Sequence, residues 1–149
     1  MNYRDILDFW FDELTPAQWW VKETELDALI QSRFGDCHQQ AIQCECWEWR
    51  ASPQGRLAEI IVLDQFSRNI YRDRPAAFSA DPLALALAQE AVAQQLHLQL
   101  APPMRAFMLM PYMHSESLKV HEVAERLFSE PGLEANMHSE LGHKAIIQQ

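Results

Sequence analysis

Glycine is scarce in this chain, with four among 149 residues, and bases are outnumbered, with 12 Lys plus Arg against 21 Asp plus Glu. So little glycine excludes collagen-like and low-complexity architectures. The formal net charge of -9 repels a phosphate backbone, so nucleic acid is not expected as a partner. No apolar run approaches the ~20 residues of a membrane helix, so no membrane association is expected. The three cysteines, Cys37, Cys44 and Cys46, are odd in number and crowded into one segment. They do not form the disulfide framework of a small secreted domain, nor do they show the paired C-x-x-C spacing of structural zinc. Met1 to Asp5 lead directly into an amphipathic pattern with no basic start and no apolar centre of a signal peptide, so a cytoplasmic location is expected. What is present is apolar: hydrophobic residues make up 48% of the chain and aromatics 10%, enough to build one core without metal or disulfide support.

That apolar content has a helical period. Tyr3, Ile6, Leu7, Trp10, Phe11 and Leu14 recur at spacings of three and four. Thr15, Pro16 and Gln18 form a capping box ahead of a short turn carrying Trp19 and Trp20. Thr24 is read as the N-cap of a long second helix running to the neighbourhood of Trp47 and Trp49. Ser52-Pro53 restarts the pattern through Leu57, Ile60, Ile61 and Asp64, and the period fails from Ile70 to Ala80. Asp81-Pro82 opens a helix over about 83–96, rich in alanines that permit close approach. Pro102-Pro103 opens a fifth helix, which Pro111 is expected to end or kink. Ser115 is read as the cap of a sixth, with Val120, Val123, Ala124, Leu127 and Phe128 as its core stripe, and Pro131-Gly132 stops it. Leu133, Met137, Leu141 and Ala145 form a last stripe, followed by Ile146 and Ile147. No segment alternates as a strand. The expectation is a single all-α domain over 1–149, with six to seven helices in antiparallel pairs forming a bundle or a tetratricopeptide-like superhelix.

Two runs carry chemistry. In Leu63 to Arg72, the period turns the Asp64 carboxylate toward the buried side, and Arg68 lies one turn on. Arg68, Arg72 and Arg74 place three of nine arginines within seven residues of an acidic protein. With Gln65 and Asn69 they suit a carboxylate or phosphate through the planar fork of arginine. The same residues also suit a buried ion pair with Asn69 fixing an irregular loop. In Arg105 to Glu116, an imidazole, a hydroxyl and a carboxylate meet at a helix-to-helix corner. His114 can act as a general base, with Ser115 or Glu116 orienting substrate or water. Equally, Ser115 can cap, Glu116 can complement the helix end, and His114 can bond to backbone. His114, His121 and Glu125 share a stripe, but His114 and His121 lie two turns apart, about 10 Å along a straight helix, too far to hold one ion. His121 with Glu125 is read as a solvated pair. Neither a metal nor a cofactor is expected, and no phosphate-cradling loop, nucleophile elbow or H-E-x-x-H is present. The five tryptophans, Trp10, Trp19, Trp20, Trp47 and Trp49, suit either a ligand groove or the core.

The strings Ile6-Leu7-Asp8-Phe9-Trp10-Phe11, Trp19-Trp20, Asp64-Gln65-Phe66-Ser67-Arg68-Asn69-Ile70-Tyr71, Ala77-Phe78 with Asp81, and Met110-Pro111-Tyr112-Met113-His114-Ser115-Glu116 together resemble the bacterial family catalogued as domain of unknown function 924. The resemblance spans essentially the whole chain. It implies a tetratricopeptide-type helical fold and no established activity. This chain carries Ser67 where that family usually has proline. Such families also tend to continue with a basic, proline-containing tail, so the resemblance implies truncation at Gln149, with Ile146 and Ile147 covered by self-association as a homo-oligomer or left exposed.

The first functional reading is a module binding a small anionic molecule or peptide in a polar pocket between helices, through Asp64, Gln65, Arg68, Asn69, Arg72, Arg105, His114, Ser115 and Glu116. The second is a metal-independent hydrolase or transferase with His114, aided by Glu116, at the reacting centre and Arg68 or Arg105 steadying negative charge. The third is a purely structural interaction domain.

Overall fold

The computed structural model describes residues 1–148, among which every regular element is helical. The chain divides into two compact units, Met1–Ala80 and Asp81–Gln149.

In the first unit, Asn2 caps α1 (Tyr3–Leu7): its side chain accepts the Arg4 N–H at 2.9 Å while Asp5 accepts the Asn2 N–H at 3.2 Å. The helix then widens into a π-helical stretch, Asp8–Glu13. Phe9 and Trp10 on this stretch are both 1% exposed. The expected box closes the next turn, with Gln18 accepting the Thr15 N–H at 2.8 Å before the 3-10 segment Pro16–Trp19. Helix α2 (Thr24–Ile42) buries Leu26, Ile30, Phe34, Cys37, His38 and Ala41. It starts with Glu23 as its N-cap and Thr24 as its first helical residue.

Helix α2 stops before Trp47. The Glu45 N–H reaches back to the Gln40 carbonyl at 2.9 Å and the Cys44 N–H to the Ala41 carbonyl at 3.0 Å, the paired bonds of a Schellman ending, with Cys44 in the left-handed region at φ 61°. Trp47–Ala51 forms a 3-10 turn instead. No residue of that turn is buried, so Trp47 and Trp49 do not continue the buried stripe of α2.

Ser52 accepts the Gly55 N–H at 3.0 Å and Pro53 takes the first position of α3 (Pro53–Ile61). This helix passes through a second π-helical stretch, Val62–Phe66, into α4 (Ser67–Ile70). From Leu57 to Ser67 every residue is buried, the mark of a helix surrounded on all sides. The two π-helical stretches meet: Phe66 lies 6.2 Å from Phe9 and 5.8 Å from Trp10, and Phe34 of α2 stacks on Phe66 at 5.1 Å between centroids. This aromatic cluster is the centre of the unit. A 3-10 turn, Pro75–Phe78, ends it.

In the second unit, α5 (Asp81–Ala93) buries Ala84, Leu87, Ala88 and Ala91 and packs on α6 (Pro102–His114). It ends three residues earlier than expected, and Gln95 turns left-handed at φ 61° ahead of the 3-10 turn Leu96–Gln99. Pro111 does not end α6, which continues to His114. The missing N–H costs about 3 kcal/mol in a helix interior, but Ala106 to Met113 are buried without a break, and that burial outweighs it.

Ser117, rather than Ser115, caps α7 (Leu118–Phe128), accepting the Val120 N–H at 3.3 Å. Ser115 serves one step earlier, its Oγ accepting the Ser117 N–H at 3.1 Å. Helix α7 buries His121, Ala124 and Phe128 and packs on α8 (Glu134–Gln148). The stripe read for α8 is displaced. Leu133 is fully buried, but Leu141 is 49% and Ile146 67% exposed, while Glu140 is buried completely. The inward line runs through Met137, Glu140, Lys144 and Ile147, because a buried partner on α7 claims the carboxylate. With α3 and α4 taken as one helix through their π turn, the chain has seven helices among the described residues.

Candidate functional site

The first unit brings Asp64, Gln65 and Arg68 together on the second π-helical stretch and its exit. The Asp64 carboxylate is 1% exposed. Arg68 Nη1 donates to Asp64 Oδ1 and to the Asp64 carbonyl, both at 3.0 Å, as the one-turn spacing anticipates, and Gln65 Nε2 donates to Asp64 Oδ2 at 3.1 Å. The Arg68 guanidinium lies 5.2 Å from the centroid of the Phe78 ring, and that ring is 58% exposed. A buried carboxylate thus holds a partly exposed cation against an aromatic face, and this fixes the orientation of the guanidinium fork.

Arg72 and Asn69 are directed elsewhere. Arg72 Nε and Nη2 donate to the two oxygens of Asp27 on α2, at 2.6 and 3.0 Å, and Asn69 Nδ2 joins at 2.9 Å. The Asp27 bond raises the Arg72 pKa. Two side chains, Asn69 at the end of α4 and Arg72 just beyond it, therefore close on one helix, and Arg72 is charge-matched by Asp27. Lys22 pairs in turn with Asp73 at 2.7 Å, and the Asp73 pKa is lowered by that bond.

Sequence reading missed His38. It is 1% exposed and its Nε2 lies 2.7 Å from Ser67 Oγ. The Ser67 hydroxyl donates to the Leu63 carbonyl at 2.6 Å, so the imidazole donates to the hydroxyl and keeps Nδ1 unprotonated and buried without a hydrogen-bond partner. Burial lowers the His38 pKa. The two residues are 29 apart in the chain, and no local spacing announces such a pair.

In the second unit Arg105 and His114 occupy opposite ends of α6, about 13 Å apart along the axis at 1.5 Å per residue. Arg105 Nη1 donates to Glu130 at 2.7 Å and its Nε to the His97 carbonyl at 3.2 Å. His97 is buried and burial lowers its pKa. At the other end, the His114 ring stands 6.1 Å from that of His143, edge to face. Ser115 is half-buried and Glu116 exposed.

The strongest polar contact of the corner comes from a residue read as solvated. His121 is completely buried and does not pair with Glu125. Its Nδ1 meets both oxygens of the equally buried Glu140, at 2.7 and 2.8 Å, and its Nε2 donates to the Ser115 carbonyl at 2.6 Å. Since a carbonyl only accepts, Nε2 carries a hydrogen, and a second proton must lie between Nδ1 and the carboxylate. The pair is electrically neutral as a unit. Burial pushes the Glu140 pKa up, partly offset by His121. Glu125 pairs instead with Lys144 at 2.9 Å. Among the described residues no group of three metal-ligating side chains converges, and no helix is long and apolar enough to cross a membrane.

A search of curated proteins finds no match. Among solved structures, a protein of unknown function from Agrobacterium tumefaciens is similar, with a TM-score of 0.89 and 29% sequence identity, over 99% of this chain and 82% of that one. The model of the family described as bacterial protein of unknown function, DUF924, matches residues 6–149. The wide turns fall on Phe9-Trp10-Phe11 and Asp64-Gln65-Phe66, two of the strings that carry the resemblance, and the chain belongs to the DUF924 family.

Proposed function

We propose that this chain binds a small anionic molecule or a peptide terminus whose carboxylate or phosphate meets the Arg68 guanidinium. The observation that carries the reading is the Asp64 to Arg68 pair. Its carboxylate is 1% and its guanidinium side chain 22% exposed, so the acid is used for orientation and the cation is presented at the edge. Gln65 braces the acid, Phe78 offers an apolar face beside the cation, and Asn69 and Arg72 hold the exit of α4 to α2 through Asp27. π-Helical turns inside α-helices concentrate at functional sites, and Asp64 and Gln65 lie on one. We place this binding activity in the cytoplasm, a reading supported by three cysteines that are all free thiols.

Calorimetric titration with a panel of small carboxylates, phosphate monoesters and dipeptides tests it, using the intact chain and Arg68→Lys. Lysine keeps the charge and loses the fork. Affinity should fall about 10- to 100-fold, the worth of a charge-assisted hydrogen bond. Equal affinity for the two proteins, or no heat from any of the three ligand classes, discards the reading.

A further inference from the structure

The tryptophans near the start of the chain divide between core and surface. Trp10 is 1% exposed and Trp20 is 60% exposed. Trp19 stands between them. Its Nε1 donates to the Trp10 carbonyl at 2.8 Å, and its ring lies at 15° to that of Trp10 with 6.5 Å between centroids. The half-buried Trp19 indole is thereby fixed in position and plane. Two more rings stand across it: Phe11, half-buried on the first π-helical stretch, at 5.8 Å and 74°, and Trp20 at 6.4 Å and 88°. Three aromatic rings set close to right angles thus form a corner, anchored to the core through Trp10 and reaching solvent at Trp20.

The charge along these segments is negative. From Asp8 to Glu25 the chain carries five acids and one base. That base, Lys22, is taken by Asp73 at 2.7 Å, and one of the acids, Glu13, by Arg33 at 3.1 Å. Asp8, Asp12, Glu23 and Glu25 lie outside those two pairs and are exposed.

We propose that Phe11, Trp19 and Trp20 bind the trimethylammonium group of a small soluble cation of the choline class, at a site independent of the Arg68 reading. Ring faces attract a cation through their quadrupole, and the neighbouring carboxylates add to that attraction. The ring angles select shape. A flat ligand is held best between parallel faces, whereas perpendicular faces fit a rounded tetrahedral group that turns a different methyl to each. Hydration selects the kind of cation. A bare ammonium is compact and strongly hydrated, so it keeps its water at a corner open to solvent, whereas the methyls of trimethylammonium meet the rings directly.

The experiment titrates the full chain, labelled with nitrogen-15, with choline and follows the indole N–H signals of its five tryptophans by NMR. The Trp19 and Trp20 signals should shift and saturate with a Kd of about 1 mM, while those of Trp47 and Trp49, on a separate turn, stay in place. Ethanolamine, with a bare ammonium, and 3,3-dimethylbutanol, the neutral carbon isostere of choline, should each bind about tenfold more weakly or worse. Trp20→Ala, at an exposed position, should weaken choline binding about tenfold, and Trp20→Phe, which keeps a ring face, should retain most of it. Unchanged Trp47 and Trp49 signals show that both variants are folded. The site is overturned if neither Trp19 nor Trp20 responds to choline, if 3,3-dimethylbutanol binds as tightly as choline, if Trp20→Ala binds as tightly as wild type, or if Trp20→Phe is as weak as Trp20→Ala.

Discussion

Gly55 shows how one position sets a boundary. It is buried in the first turn of α3, its N–H held by Ser52, and a Cβ there would sit 2.0 Å from the Trp49 carbonyl oxygen. The obstacle is backbone of the preceding turn and cannot swing aside. Gly55→Ala should therefore cost about 3 kcal/mol or more in urea unfolding, although alanine is the better helix former by propensity. At this scale, local features were readable: the Asp64 to Arg68 pair, one turn apart, and the Ser52-Pro53 start depend only on nearby residues. Cys44 and Gln95 in the left-handed region were not, because neither is a residue type that advertises that conformation.

For the elements, the attachment of α8 illustrates what periodicity cannot reveal. Leu141 and Ala145 fit a stripe as well as Glu140 and Lys144 do. The choice is made 19 residues away by a histidine on α7 that has no access to water. Removing one partner leaves the other buried and unanswered: Glu140→Ala should destabilise by about 3 to 5 kcal/mol, with hydrogen exchange in α8 rising first. Replacing both, His121→Leu with Glu140→Leu, should recover much of that loss, since neither charged partner is then stranded and only the Ser115 carbonyl at the half-buried corner loses its donor. A double variant as unstable as the single would show that the pair is not the tie between these helices. Pro111 teaches the converse lesson, as a local rule against proline in a helix is overridden by the burial of the segment around it.

The whole molecule responds to acid through its buried imidazoles. His38 and His97 have pKa values lowered from 6.5 by burial. Below pH 6.5 the unfolded chain takes up protons that the native form refuses. Their contribution is thus full above 6.5 and lost as pH falls through the lowered values, at about 1.4 kcal/mol for each unit of depression. Glu140 acts in the opposite sense: its raised value favours the native form below pH 4.5, and that advantage is lost as pH rises through the raised value. Melting temperatures between pH 8 and pH 5 should fall for wild type, and fall less steeply for His38→Gln, whose amide can still donate to Ser67. Parallel curves would remove His38 from the acid response. Across the molecule, the all-helical class and most helix starts were legible because caps and periods are local. The polar ties of Asp27 to Arg72 and His38 to Ser67 were not, because they join distant residues that carry no mutual pattern.

The π-helical stretch at Val62–Phe66 makes the helix an instrument of phase. Each residue of an α-helix advances the bearing of the next by about 100°, and a wide turn accommodates one residue more than the regular winding. Deleting any single residue from that stretch would leave a good helix with nearly the same composition. It would also rotate everything downstream, turning Ser67 away from His38 and Asn69 away from Asp27, and pointing Arg68 on a new heading without altering one of them. The arrangement around Arg68 therefore depends on a count of residues as much as on their kinds.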